Sequence, residues 1–148
     1  MRDMFALARG KHISRKEWLH GYYCQMQETT YAFQEDYNKF PVKTLHLIAQ
    51  DSMTDWGLPN KLQLYEVDPE TVGLYTGKED RNAKRIYEGD VLRNDLTGEI
   101  VSVWWDGQHC GFVCRGGEVS PVQIGSLNEH STIIGNIFDN QDLVWKEE

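Results

Sequence analysis

Nowhere does the sequence hold the ~20 consecutive apolar residues that a membrane-spanning helix needs, so no membrane partner is expected. It has no Gly-x-Ser-x-Gly nucleophile elbow and no Gly-x-x-x-x-Gly-Lys phosphate loop, and chemistry built on either is not indicated. Cysteine is scarce: Cys24, Cys110 and Cys114 are three in number, with no Cys-x-x-Cys pair among them. At least one thiol stays unpaired within the chain, which agrees with a reducing compartment. The amino-terminal residues MRDMFALARGKHISRKEW carry only a short apolar run with no small-residue cleavage site after it, too little for a secretory leader. The expected location is cytoplasmic. Positive charge is in deficit as well, with 15 Lys and Arg against 23 Asp and Glu, a net charge of −8. Nucleic-acid affinity draws on Lys and Arg neutralising phosphates, so duplex DNA is a disfavoured partner. Low-complexity tracts and internal repeats are also missing.

What is present is core material. Apolar residues make up 40% of the 148, including 5 Trp, 7 Tyr and 5 Phe, enough for one compact domain or a small pair. KEWLHGYYCQM, residues 16–26, predicts an extended segment, with Trp18, His20, Tyr22, Cys24 and Met26 on one face and Leu19 and Tyr23 on the other. The polar passage from Glu35 to Pro41 predicts a loop, and Thr44 to Ala49 predicts a strand. DSMTDWGLPN, residues 51–60, is dense in turn formers and reads as a seam by composition, ahead of an alternating run that ends at Asp68-Pro69.

The second half is easier to read. Short apolar segments recur at roughly 8–12-residue intervals with glycine between them, the pattern of a small sandwich or barrel. They cover Val72–Tyr75, Asp90–Arg93, Glu99–Trp105, Gly111–Cys114, Val119–Ile124 and Thr132–Phe138. Thr97-Gly98 predicts a hairpin, and Asp106-Gly107 a tight turn with positive φ on the glycine. In IVSVWW, residues 100–105, apolar side chains fall on both faces, so both are expected to be covered and both tryptophans to anchor the core.

Four sets of chemistry-bearing residues stand out. His109, Cys110 and Cys114, with His20 and Cys24 upstream, are zinc-ligand types. In an extended strand, however, Cys110 and Cys114 stand about 13 Å apart at ~3.3 Å per residue, too far for bonds near ~2.3 Å to one ion, and structural packing is the expectation. Carboxylates gather at Glu66, Asp68 and Glu70, at Glu79 and Asp80, and at Glu88 and Asp90; turns and solvated edges account for all three groups without a metal site. The histidines at 12, 20, 46, 109 and 130 are scattered. No catalytic residue, cofactor or metal is assigned. Lys78, Arg81, Lys84, Arg85 and Arg93 form the densest basic cluster, flanked by Tyr75 and Tyr87, the elements of a single-stranded nucleic-acid or partner contact. Interleaved Glu79, Asp80 and Glu88 offset much of that field.

LYTGKEDRNAKRIYEGDVLRN, residues 74–94, has the grammar of a corner. Gly77 ends a strand, Lys78–Arg85 is a solvated excursion, Gly89 supplies a backbone angle that a Cβ would resist, and Asp90 can bond nearby amides. Gly77, Gly89 and Asp90 are thus the fold-defining turn residues. DPETVGLYTG (68–77), followed by Lys78–Asn82 and KRIYEGD (84–90), resembles the hallmark pattern of the YopX family of bacteriophage and prophage proteins. Glu17–Tyr23 and Ile133–Asn140 resemble that family's amino- and carboxy-terminal strands. Where the family's turn runs Gly-Leu-Lys-Asp-Lys-Asn-Gly, this chain has Gly77-Lys78-Glu79-Asp80-Arg81-Asn82-Ala83, without the leucine and the last glycine. The resemblance implies a phage-borne protein in a bacterial host cell, with an SH3-like barrel at its carboxy-terminal end and self-association. It implies no activity. The expectation is therefore an all-β, mainly antiparallel protein in two parts, 1–67 and 68–148, acting as a non-catalytic binding or assembly module. Its expected partner is a second copy or a host or phage protein; the alternative is a regulatory nucleic-acid binder using the 78–93 basic face.

Overall fold

The computed structural model of the chain describes residues 7–116 and 119–144. Eight strand pairings among them are antiparallel, in keeping with the alternating sequence. Contacts divide the chain into two compact units that meet in sequence between Val72 and Gly73.

The first unit is built on β1 (Leu7–Lys11), β2 (Trp18–Gln27), β3 (Thr44–Ser52) and β4 (Lys61–Glu66), in the spatial order β4-β3-β2-β1. β2 runs past an unusually close neighbour, since a Cβ at Gly21 would collide with the carbonyl oxygen of Ala49, and only glycine lets the two backbones approach. The sheet curls toward closure. His12 bridges Val67, Ile13 N–H donates to Glu66 O at 3.1 Å and Asp68 N–H to Lys11 O at 2.9 Å, so the end of β1 meets the segment leaving β4. Inside the curl lie Ala8, Leu19, Ile48 and Val67, with Tyr23, Tyr65 and Val72 against them. The seam expected at 67/68 falls later because residues 68–72 are stitched to β1: Thr71 Oγ1 accepts from Lys11 N–H at 2.9 Å and donates to Asp68 O at 2.7 Å.

Between β2 and β3 the expected loop contains a short helix, α1 (Gln34–Lys39), which buries no residue and has no side-chain cap at Phe33. Nothing in its sequence repeats with a helical period, so its presence could not be read there.

The second unit contains a ribbon of β5 (Gly73–Glu79) and β6 (Arg85–Tyr87). It also contains a five-stranded sheet, ordered β10-β9-β8-β7-β11, of β7 (Asp90–Asn94), β8 (Ile100–Asp106), β9 (Gly111–Gly116), β10 (Val119–Gln123) and β11 (Ser131–Asn136). A short helix, α2 (Gln141–Val144), follows β11. Its core is Ile86, Leu92, Val101, Val103, Cys114 and Ile124, with Phe112, Leu127 and Ile133 packed on it. The β7–β8 hairpin turns at Gly98, φ 79°, where Thr97-Gly98 predicted it. After β8 the outcome differs. The loop is longer than a two-residue turn, and the positive φ falls on Cys110 (49°), not on Gly107. The tryptophans also part company: Trp104 is half-buried and donates Nε1–H to Ser102 Oγ at 2.6 Å, whereas Trp105, at the strand end, is 49% exposed against Phe112. Only Val101 and Val103 of that face are covered.

Candidate partner-binding surfaces

Residues 74–94 form a corner held by backbone amides. Gly89 sits at φ 91° and Gly77 at φ 83°. Gly77 does not end its strand as expected, because β5 runs on to Glu79, which pairs with Arg85, and the glycine lies in the irregular stretch between Tyr75 and Glu79. Gly89 N–H donates to Val103 O at 2.8 Å and its carbonyl accepts from Ile137 N–H at 2.9 Å, so this glycine joins β8 to the strand-end after β11. Asp90, only 1% exposed, accepts Tyr87 N–H on Oδ2 at 2.8 Å. Asp80 does the same for the excursion. Its Oδ1 accepts from the amides of Asn82 (2.8 Å) and Lys84 (3.0 Å), and its Oδ2 from Ile133 of β11 (3.1 Å). The carboxylates expected at solvated edges are in these two cases buried, where backbone N–H donors take the place of water on their oxygens.

This placement decides how the basic cluster can act. Arg81 and Arg93 both reach Asp95, at 3.3 and 3.2 Å. The Thr132 hydroxyl above all, then the two guanidinium groups, hold the Asp95 carboxyl below its ordinary range. Arg85 lies over the Tyr75 ring, 5.5 Å from its centroid. Tyr87 is buried, 5% exposed, and its ring meets Tyr75 at 5.7 Å, so it has no face to offer a base or a partner; the two-residue apolar step Ile86-Tyr87 turns both side chains inward. Lys78 and Lys84 are exposed, with no ion-pair partner among the described residues. Of the cluster, Arg81 and Arg93 are thus paired with one carboxylate and Arg85 with a ring, while Lys78 and Lys84 stand exposed.

The zinc-ligand types do not converge. Cys114 is buried in the core, where desolvation pushes its thiol up to about 11, while Cys24 and Cys110 are exposed. No group of three or more His, Cys, Asp or Glu could hold a metal ion among the described residues. No described helix is long and apolar enough to cross a membrane.

The largest unspent feature lies elsewhere. Residues directly opposite in an antiparallel sheet share a face. Tyr22, Ala49 and Leu64 are opposite one another across β2, β3 and β4; so are Cys24, Leu47 and Glu66, and so are Met26 and Leu45. This is the side away from Ile48, Tyr23 and Tyr65, hence the outer one. It is nonetheless apolar: Leu47 and Ala49 at its centre are buried, and around them Tyr22, Met26, Leu62 and Leu64 are 46%, 47%, 63% and 44% exposed. At the tip of the β3–β4 loop, Trp56 is 86% exposed, its amide capped by Asp55 Oδ1 at 2.7 Å. Residues 51–60 read as turn chemistry, and the signal within them is Trp56, an indole set among turn formers.

A family model described as YopX protein matches residues 9–144. Among solved structures, the chain is similar to the crystal structure of protein EF1440 from Enterococcus faecalis, at 17% identity and a TM-score of 0.57, covering 97% of this chain and all of that one. At that identity the likeness concerns the fold. Among curated proteins, none matches this chain.

Proposed function

Because the chain belongs to the YopX family, whose pattern runs through both units, we propose that it is a phage- or prophage-borne binding or assembly module of the bacterial cytoplasm that associates with a second copy of itself. The observation that carries this reading is the apolar outer face of the first unit. An outward sheet face is normally polar, and exposed apolar rows lose free energy to water unless something covers them. β4 ends the row of strands, so its outer edge between Lys61 and Tyr65 offers backbone donors and acceptors to another strand. Two β4 strands related by a two-fold axis through Gln63 would set Leu62 opposite the partner's Leu64 on one continuous apolar face, a self-complementary arrangement. Tyr22 and Trp56 are the residue types that anchor such contacts.

Light scattering at micromolar concentration tests it: a mass above the 17.2 kDa of one chain is expected. A clean monomer overturns the self-association. The nucleic-acid alternative is weaker, because Tyr87 is buried and three of the five basic residues are engaged locally. A salt-sensitive gel shift abolished by Lys84→Glu with Arg85→Glu would restore it.

A further inference from the structure

The second unit carries a cleft on the side of its sheet that faces away from the core. By strand register, Asp106, Val113, Arg115 and Gln123 share one face of β8, β9 and β10, opposite to Val103, Phe112 and Cys114. With Gln108, His109 and Pro121 they enclose about 610 Å³, within the range of small-molecule sites. A second cavity adjoins it and shares His109, Val113 and Gln123; Lys78 stands on its rim.

In a chain of net charge −8, the balance of groups here is unusual. Asp106 is the single carboxylate lining the cleft among the described residues, and it is already committed: Oδ1 accepts from Gln108 N–H at 3.0 Å and Oδ2 meets His109 Nδ1 at 2.6 Å. That pairing holds the imidazole by Nδ1 and leaves Nε2 for a ligand. Arg115 has no ion-pair partner among the described residues, and its guanidinium presents a planar fork suited to a two-oxygen anion. Gln108 and Gln123 contribute side-chain amides, while Val113 and Pro121 supply an apolar wall.

We propose that this cleft binds a small carboxylate carried on a compact apolar body, with the carboxylate on Arg115 and the body against Val113 and Pro121. A monoanion fits better than a phosphate dianion, because one free guanidinium balances one charge and the Asp106 carboxylate would repel a second. The site is built from residues of the second unit alone and stands whether or not the chain self-associates.

The test is an NMR titration of the full chain with benzoate, benzamide and phenyl phosphate, followed at the Arg115 Nε–H and at the Gln108 and Gln123 side-chain amides. Saturable shifts with benzoate, none with benzamide, and at least tenfold weaker benzoate binding in Arg115→Gln are the expected results. Arg115→Lys, which keeps the charge and loses the fork, is expected to fall between the two. Equal binding of benzamide, no saturable shift, or undiminished binding in a folded Arg115→Gln protein would overturn the proposal. Tighter binding of phenyl phosphate than of benzoate would overturn the choice of carboxylate.

Discussion

The two units spend their side chains differently. The second is organised around carboxylates driven inside: Asp90 holds the Tyr87 amide, and Asp80 gathers three amides, one of them from β11. The first buries no carboxylate among its described residues and is held by ladder pairing around Ile48 and Val67, while keeping leucines outside on β4. Residues that fix a turn from within have no capacity left for a ligand. Residues left apolar on an outer face contribute little to their own unit and are available to another surface. The acidic, glycine-rich corner that draws the eye in the sequence is therefore scaffold, and the plainer KLQLYE strand is the better candidate for contact.

The contrast is broken most directly at Asp90. Asp90→Ala leaves a buried amide without its acceptor and is expected to cost about 3 kcal/mol, read as a lowered urea midpoint with unchanged slope. Asp80→Ala, which frees the amides of Asn82, Lys84 and Ile133 at a slightly less buried position, is expected to cost about 2 kcal/mol by the same measurement. If both variants unfold at the parent's midpoint, the buried carboxylates do not organise this unit.

Leu62→Ser with Leu64→Ser sharpens the other side. Exposed substitutions of this kind shift stability by only about 0.5 kcal/mol each, yet the pair is expected to abolish association in sedimentation runs. A large loss of stability with no change in mass would mean that these leucines serve their own unit.

Ala83 has φ 60°, a left-handed conformation that costs a residue with a Cβ about 1 kcal/mol. Ala83→Gly, which restores the last glycine of the family's turn, is expected to raise stability by about 0.5 kcal/mol once the looser unfolded chain is counted. The smallest effect belongs to Glu88. Burial raises its carboxyl above the ordinary 4.5, against the amides of Leu74 and Trp105, which lower it. Its protonated form thus favours the folded state, a contribution complete below about pH 4.5 and lost as pH rises through the raised value. Glu88→Gln should be more stable than the parent at pH 7 and no different below pH 4.5. Because the side chain is only half-buried, the gain is expected to stay under about 0.5 kcal/mol.

Antiparallel β structure was legible because glycine, aspartate and alternation are local signals that say where chains turn and which faces they bury. Gly98 shows it. What failed needed information beyond a few residues. The Cys110 conformation depends on a loop length that Asp106-Gly107 does not encode, and the exposure of Trp105 depends on where β8 ends relative to Phe112. Tyr87 reads as an exposed aromatic beside charges until β5 is known to lie across from it. The outer apolar rows needed the register of three strands, which no single segment states. The buried state of Asp80 needed β11, some fifty residues away in the chain.

The stitching of Asp80 to Ile133 has a practical corollary for anyone wishing to graft a foreign epitope into this protein. The exposed, charged excursion after Gly77 looks like the natural place for an insert, but lengthening it between Asp80 and Lys84 would pull the carboxylate away from β11 and unpick a strand far off in the chain. The tip around Trp56 is secured, among the described residues, by short-range bonds: Thr54 Oγ1 to Pro59 O, Leu58 N–H to Asp55 O and Trp56 N–H to Asp55 Oδ1. It would display a guest peptide with little disturbance to the host.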